Sequence, residues 1–273
     1  MVEVDKNNLR TIEITINYHE LLMKYDDTSV YKKYDLPEGF HYEFYKPGDE
    51  EEWAKIHIES GEFTSIEKGL KHFHDFFDYF IDSLDKRCVF IVDSNTNEKV
   101  GTATISLLEE KEYGYEAAVD WVAIKRSYQG RKLSRPLISK FMEIANNLGH
   151  KSIILHTQTT TWLAAKLYLD YGFEILNKED VEAWSILKAL VNHEKLSDFE
   201  KATPDVVFDK RNIEIEKQLK EMYGTDEFNY GVYYKNGRHD VEVYLNGETY
   251  EYKYYIENEN LRLEEVIDKK YKR

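Results

Sequence analysis

The sequence predicts an α/β chain in which strands and amphipathic helices interleave, followed by a small separate sheet. Three observations carry that expectation. Trp121-Val122-Ala123-Ile124, an apolar run of strand formers, passes through a polar turn into a helical repeat at Leu133, Leu137, Phe141, Ile144 and Leu148. Strand and helix patterns alternate on both sides of that unit. Near the C-terminus the period becomes two, and Asn236-Gly237 and Asn246-Gly247 separate the alternating runs as hairpin turns do.

At 273 residues and 42% hydrophobic, the chain can bury a full core as a soluble globular protein. Thirty-seven basic against 52 acidic residues give a net charge of −15, which opposes nucleic acid and anionic membrane surfaces and favours cationic amines. The single cysteine, Cys88, excludes an internal disulfide and a cysteine-rich metal site. With no apolar run of signal or transmembrane length, the expected location is cytoplasmic.

Taken in order, Thr11-Ile12-Glu13-Ile14-Thr15-Ile16 alternates like an amphipathic strand, within an N-terminal extension (1–39) packed on the main domain. A strand is expected over 40–45. Asp49 with Glu52 signals the N-cap of a helix carrying Trp53 and Ile56 and ending at Gly61. Thr64 and Glu67 give a capping box for a second helix, with Ile66, Leu70, Phe73, Phe77, Phe80 and Leu84 on its apolar face. Strands follow at 87–92, 100–106 and 115–124. After the helix that begins near Leu133 or Ser134, a strand over 152–156 leads to a helix from Thr161 to Tyr171, and 173–176 closes the main domain (40–178). A helical connector (179–204) ends at Ala202-Thr203-Pro204. The last module (205–273) reads as helix, three-stranded meander, helix, with Phe208, Ile215, Leu219 and Met222 on one face of its first helix.

The turn before Ser134 has the chemistry of an anion site. A helix N-terminus offers unpaired N–H groups and a positive dipole end, and Pro136 is tolerated only in such a first turn. At Gln129, Leu133 and the small Ser134 the sequence resembles the GNAT superfamily of N-acetyltransferases, whose loop holds the pyrophosphate of acetyl-coenzyme A. Lys132 stands where that family has its central glycine. The resemblance continues at Tyr168-Leu169-Asp170-Tyr171-Gly172-Phe173, with a tyrosine five residues before the phenylalanine of a Gly-Phe pair, and covers about residues 40–178.

The resemblance implies a mixed, mostly antiparallel central sheet flanked by helices, and transfer of acetyl from acetyl-coenzyme A to a primary amine by direct attack. It implies no metal. Coenzyme A would meet the backbone of Val122 and Ile124 and the loop Gln129, Gly130, Arg131, Lys132, Leu133 and Ser134, with Thr161 where many members carry asparagine. Tyr168 would lie beside the sulfur as the group that protonates it.

The base is expected among carboxylates. Asp120 lies in the strand beside the thioester, sharing a face with Ala118 and Val122 if no bulge intervenes, and Glu116 lies two residues back on that face. Glu59, Glu62 and Phe63, at the linker between the first two helices, are candidates for gripping the amine. His72 and His74, two apart on a helix, do not face each other as a metal pair would. The acceptor is a small molecule or a protein amine, and a homodimer is allowed without being specified. A second reading, a non-catalytic acyl-coenzyme A sensor or scaffold with a partner on the C-terminal module, is kept open by Lys132 and Thr161.

Overall fold

In the computed structural model, residues 12–226, 228–235, 238–245, 248–257 and 260–265 are described. The main layer runs β1 (Glu20–Tyr25), β2 (Phe40–Phe44), α1 (Glu50–Ser60), α2 (Ile66–Phe77), α3 (Leu84–Arg87), β3 (Cys88–Asp93), β4 (Glu98–Glu112), β5 (Tyr115–Ile124), α4 (Ser134–Asn147), β6 (Ile153–Gln158), α5 (Trp162–Tyr171) and β7 (Glu174–Ile175). Then come α6 (Val181–Leu190), α7 (Pro204–Val207) and α8 (Lys210–Tyr223). The chain continues into β8 (Asn229–Lys235), β9 (Arg238–Leu245), β10 (Glu248–Glu257) and β11 (Asn260–Glu265).

Seven strands form one sheet in the order β2-β3-β4-β5-β6-β1-β7. Its pairs are antiparallel except β5 with β6, which run parallel. This is the mixed, mostly antiparallel sheet that the resemblance implies. Both faces are covered, so the interior strand β3 is buried at all six positions, and Cys88-Val89-Phe90-Ile91-Val92 reads as a continuous apolar run. Val89 and Ile91 pack on one side with Leu137 and Phe141 of α4 and Ala165 of α5. Phe90 and Val92 pack on the other with Trp53 of α1 and Phe73 and Phe77 of α2.

The sequence reading needs correction at several places. Ile16 makes only an isolated bridge to Phe208, and Thr11 lies outside the described residues. The strand of the N-terminal segment is β1, which pairs with β6 and β7 inside the main sheet. Leu21, Leu22 and Met23 are all buried there, so β1 shows no alternation to betray it. Asp49 precedes α1 without capping it, because its carboxylate pairs with Lys99 and accepts from the N–H of Lys46 at 2.9 Å. The cap of α2 is Ser65, which accepts from the Lys68 N–H, and Thr64 turns elsewhere.

In the C-terminal module α8 starts after Asp209, which caps it. Phe208 stays outside the helix in its bridge to Ile16, and Met222 is exposed. The three-stranded meander is present as β8, β9 and β10, extended by β11 at its edge. Leu261 and Leu263 alternate with Arg262 and Glu264, a period of two that forms a strand where the sequence reading placed the final helix. The hairpins close at Lys235↔Arg238 and Leu245↔Glu248, on either side of the two Asn-Gly pairs, which themselves lie outside the described residues. One face of this sheet, with Val241, Val243, Tyr252 and Tyr254, packs on Ile215 and Leu219 of α8.

Candidate active site

The site begins where β5 and β6 part. Their parallel pairing comprises Ala118↔Ile154 and Val119↔Leu155, and among the described residues the ladder between them stops there. On its other side β5 carries a bulge. Thr104 pairs with Asp120 and Thr102 with Ala123, leaving one extra residue on β5. Trp121 absorbs it at φ +52°, a left-handed conformation that costs a non-glycine residue about 1–2 kcal/mol. Its indole is held among Trp53, His57, Phe63 and Phe76, with ring centroids 5.2, 5.3, 5.6 and 5.8 Å away. The bulge changes the facing expected from sequence. Trp121 packs towards α1 and α2, whereas Val122 and Ile124 pack with the core beneath α4 and α5. Asp120 therefore does not share a face with Val122.

The loop after β5 has the form of an anion cradle. Gly130 and Lys132 both have positive φ, +76° and +63°. Lys132 thus holds a left-handed backbone, the region that glycine adopts most readily. From Gly130 to Arg135, no backbone N–H donates to a described residue, and the first helical residue of α4 is Ser134 with no side-chain cap ahead of it. A cavity of about 640 Å³ lies against the loop, lined by Gly130, Lys132, Ser134 and Arg135 and, across from them, Tyr34 and Leu167. The exposed Lys132 side chain carries its charge to this opening. Arg131 is less available, because its guanidinium stacks 4.3 Å from the Tyr128 ring and donates to the Ser127 carbonyl. Gln129 folds back to donate to the Ile124 carbonyl at 3.3 Å, and Leu133 is buried. These residues fit a pyrophosphate in their unpaired amides, their positive charge and the space beside them.

Tyr168 closes the other side of the gap. Its side chain is only 6% exposed, its ring packs on Phe173 at 5.7 Å, and its hydroxyl bonds to no described residue. The backbone explains the Tyr-to-Phe spacing, since the N–H groups of Gly172 and Phe173 both donate to the Tyr168 carbonyl as α5 ends. Burial raises the phenol well above its ordinary value, and the charges of Asp120 and Glu62 raise it further. Both carboxylates are thus near enough to act on Tyr168.

Glu62 sits on the linker between α1 and α2. The residue is exposed, yet protein crowds around its carboxyl, and this desolvation raises it to about 7. Sequence spacing gave no hint of that shift. Phe63 next to it is buried against Trp53, His57 and His72, with Trp121 behind.

Other sequence candidates lie elsewhere or are occupied. Glu116 is exposed near the start of β5, away from the parting of the strands, where its charge acts on His150. Glu59 pairs with the buried Lys125 at 3.5 Å and accepts from Ser127. Thr161 uses its hydroxyl locally, bonding Thr157 and the Gln158 backbone to close the turn into α5. His72 stacks on Phe63, while His74 turns to Asp78. His156 pairs across strands with Glu20 at 2.8 Å. Among the described residues no helix is long and apolar enough to cross a membrane.

Residues 51–173 match the family model described as acetyltransferase (GNAT) family. Among solved structures, the chain is similar to a GCN5-related N-acetyltransferase from Sphaerobacter thermophilus, at 17% identity over 59% of this chain and 49% of that one, with a TM-score of 0.47. It is also similar to a GNAT-family acetyltransferase from Colwellia psychrerythraea, at 9% identity over 59% of this chain and 55% of that one, TM-score 0.45. Glucosamine-6-phosphate N-acetyltransferase from Arabidopsis thaliana matches at 12% identity over 43% and 82%, TM-score 0.33. The chain spans about half the length of the first two of these. No curated protein matches it in sequence.

Proposed function

We propose, on the premise that residues 51–173 form a domain of the acetyltransferase (GNAT) family, that the chain transfers acetyl from acetyl-coenzyme A to a primary amine. The observation that carries this reading is the convergence of a buried, unbonded Tyr168 hydroxyl with the carboxylates of Asp120 and Glu62, where β5 and β6 part. The Gly130–Arg135 amides and Lys132 would hold the pyrophosphate. The edge of β5 at Val122 would align the pantetheine and point a backbone N–H at the thioester oxygen.

Glu62 is favoured as the base because a carboxyl raised to about 7 takes a proton most effectively near neutral pH. It accepts one proton from the ammonium, and this proton passes to solvent. The freed lone pair attacks the thioester carbonyl carbon, and the carbon–sulfur bond then breaks with its electron pair on sulfur. Tyr168 is kept protonated by burial and by two negative neighbours, so it enters the reaction as a donor and gives its proton to that sulfur. The second amine proton, lost as the amide forms, restores the phenol. Asp120 holds negative charge beside the incoming cation.

The test is thiol release from acetyl-coenzyme A in the presence of a panel of primary amines. An amine that accelerates release in the wild type should lose about a hundredfold or more in Tyr168→Phe, with coenzyme affinity unchanged. Unchanged rates in Tyr168→Phe, Asp120→Asn and Glu62→Gln together would sink these assignments. Binding with no amine-dependent release would favour the sensor reading.

A further inference from the structure

The C-terminal sheet grips the linker that carries Glu62 from both ends. Strand alternation turns Val241 and Val243 towards α8, so Glu242 points to the opposite face. There its carboxylate accepts from the Thr64 hydroxyl at 2.9 Å and pairs with the Lys68 ammonium. Tyr244, on the same face, packs with the core under α1 and α2. At the linker's other end, the Asn229 amide of β8 donates to the Ile58 carbonyl at 2.9 Å. Gly61, in a left-handed conformation at φ +97°, lies close enough that an added Cβ would stand 3.6 Å from the Asn229 side chain. Glu62 and Phe63 are strung between these two attachments. The family match ends at residue 173, so the sheet lies outside it.

We propose that Glu242 is a positioning residue, and that the C-terminal sheet holds the α1–α2 linker so that Glu62 keeps its place near Tyr168 and the protein that crowds it. The proposal rests on the reading of Glu62 as the base. Glu242 touches neither acceptor nor coenzyme; it acts through Thr64 and Lys68. Among the described residues, Glu62 acts electrostatically on Tyr18 from the N-terminal segment and Tyr168 from α5, Asp120 from β5 acts on the same Tyr168, and the Lys68–Glu242 pair lies beyond Thr64. The two tyrosines carry no charge at neutral pH. Loosening the grip therefore acts mainly by admitting water.

The experiment uses the full chain with Glu242→Ala, which removes both bonds, and Lys68→Met, which keeps the Thr64 bond. Hydrogen exchange of residues 61–68 is expected to rise in Glu242→Ala, with the loop at 129–135 unchanged. For the amine that wild type acetylates, kcat/KM should fall about tenfold to a hundredfold. The acid limb of its pH profile should move from about 7 towards the ordinary carboxylate range as Glu62 gains water. The affinity for acetyl-coenzyme A should stay the same, and Lys68→Met should fall between. Wild-type exchange and a wild-type pH profile in Glu242→Ala would overturn the proposal while leaving the base assignment intact. Faster exchange in a protein that acetylates no amine would instead defeat the reading of the site, and the positioning role with it.

Discussion

His57 can exist in this fold only as a neutral imidazole. It is 1% exposed, neither ring nitrogen has a hydrogen-bond partner among the described residues, and the Trp53 ring lies 4.2 Å away. Burial lowers its pKa to about 3, whereas the unfolded chain protonates it near 6.5. Between those values the unfolded state binds the extra proton, so this group's stability is full above 6.5 and is lost as pH falls towards 3. The slope is about 1.4 kcal/mol for each unit of pH in that window. Urea midpoints measured from pH 7 to 4 should therefore drop less steeply in His57→Leu than in wild type, and equal slopes would contradict the buried neutral state. Residues of this kind were not legible in the sequence, where His57 is one histidine among nine. The place of Tyr168 was legible, because it lies at a fixed distance from a helix end. The raised carboxyl of Glu62 was not, because desolvation depends on what the fold packs around the linker.

At the scale of elements, the loop between β5 and α4 sets a charged side chain on a backbone that favours glycine. Lys132 occupies the left-handed region at φ +63°. Lys132→Gly should relieve about 1–2 kcal/mol of strain. That gain is offset by about 1 kcal/mol of added chain entropy, so little net change in Tm is expected. The same variant should weaken acetyl-coenzyme A severalfold in a calorimetric titration, and Lys132→Glu should weaken it more than tenfold, because a phosphate would then face a carboxylate. Equal affinity in all three proteins would place the phosphates elsewhere. This loop was readable from its apolar strand, its polar turn and the helical repeat behind it. The bulge at Trp121 was anticipated only as a way to reverse parity, since no local residue demands it. Strand β1 was missed because both of its faces are covered, which removes the alternation on which strand reading depends.

Across the whole molecule, the region that matches the acetyltransferase (GNAT) family model is framed by segments outside that match. The N-terminal segment adds β1 to the sheet, and the C-terminal meander closes on the linker between α1 and α2. Helix and strand periods revealed the order of the elements and the existence of the meander. They did not reveal where the meander docks, because Glu242, Thr64 and Lys68 are ordinary polar residues until the fold brings them together. With 52 acidic against 37 basic residues, the molecule as a whole attracts cations, and the charges of Glu62 and Asp120 that act on Tyr168 have the same sign. The most direct measurement is the pH dependence of kcat/KM for acetyl transfer to the best amine, compared between wild type and Glu62→Gln. Wild type should show an acid limb near 7. Glu62→Gln should lose that limb and about a hundredfold in rate. Because the unfolded chain ionises this carboxyl from about 4.5 and the folded one only near 7, its ionisation lowers stability across that window, so the variant should also melt higher than wild type at pH 8, with the difference gone below pH 4. A Glu62→Gln enzyme that keeps both the limb and the rate would contradict the account.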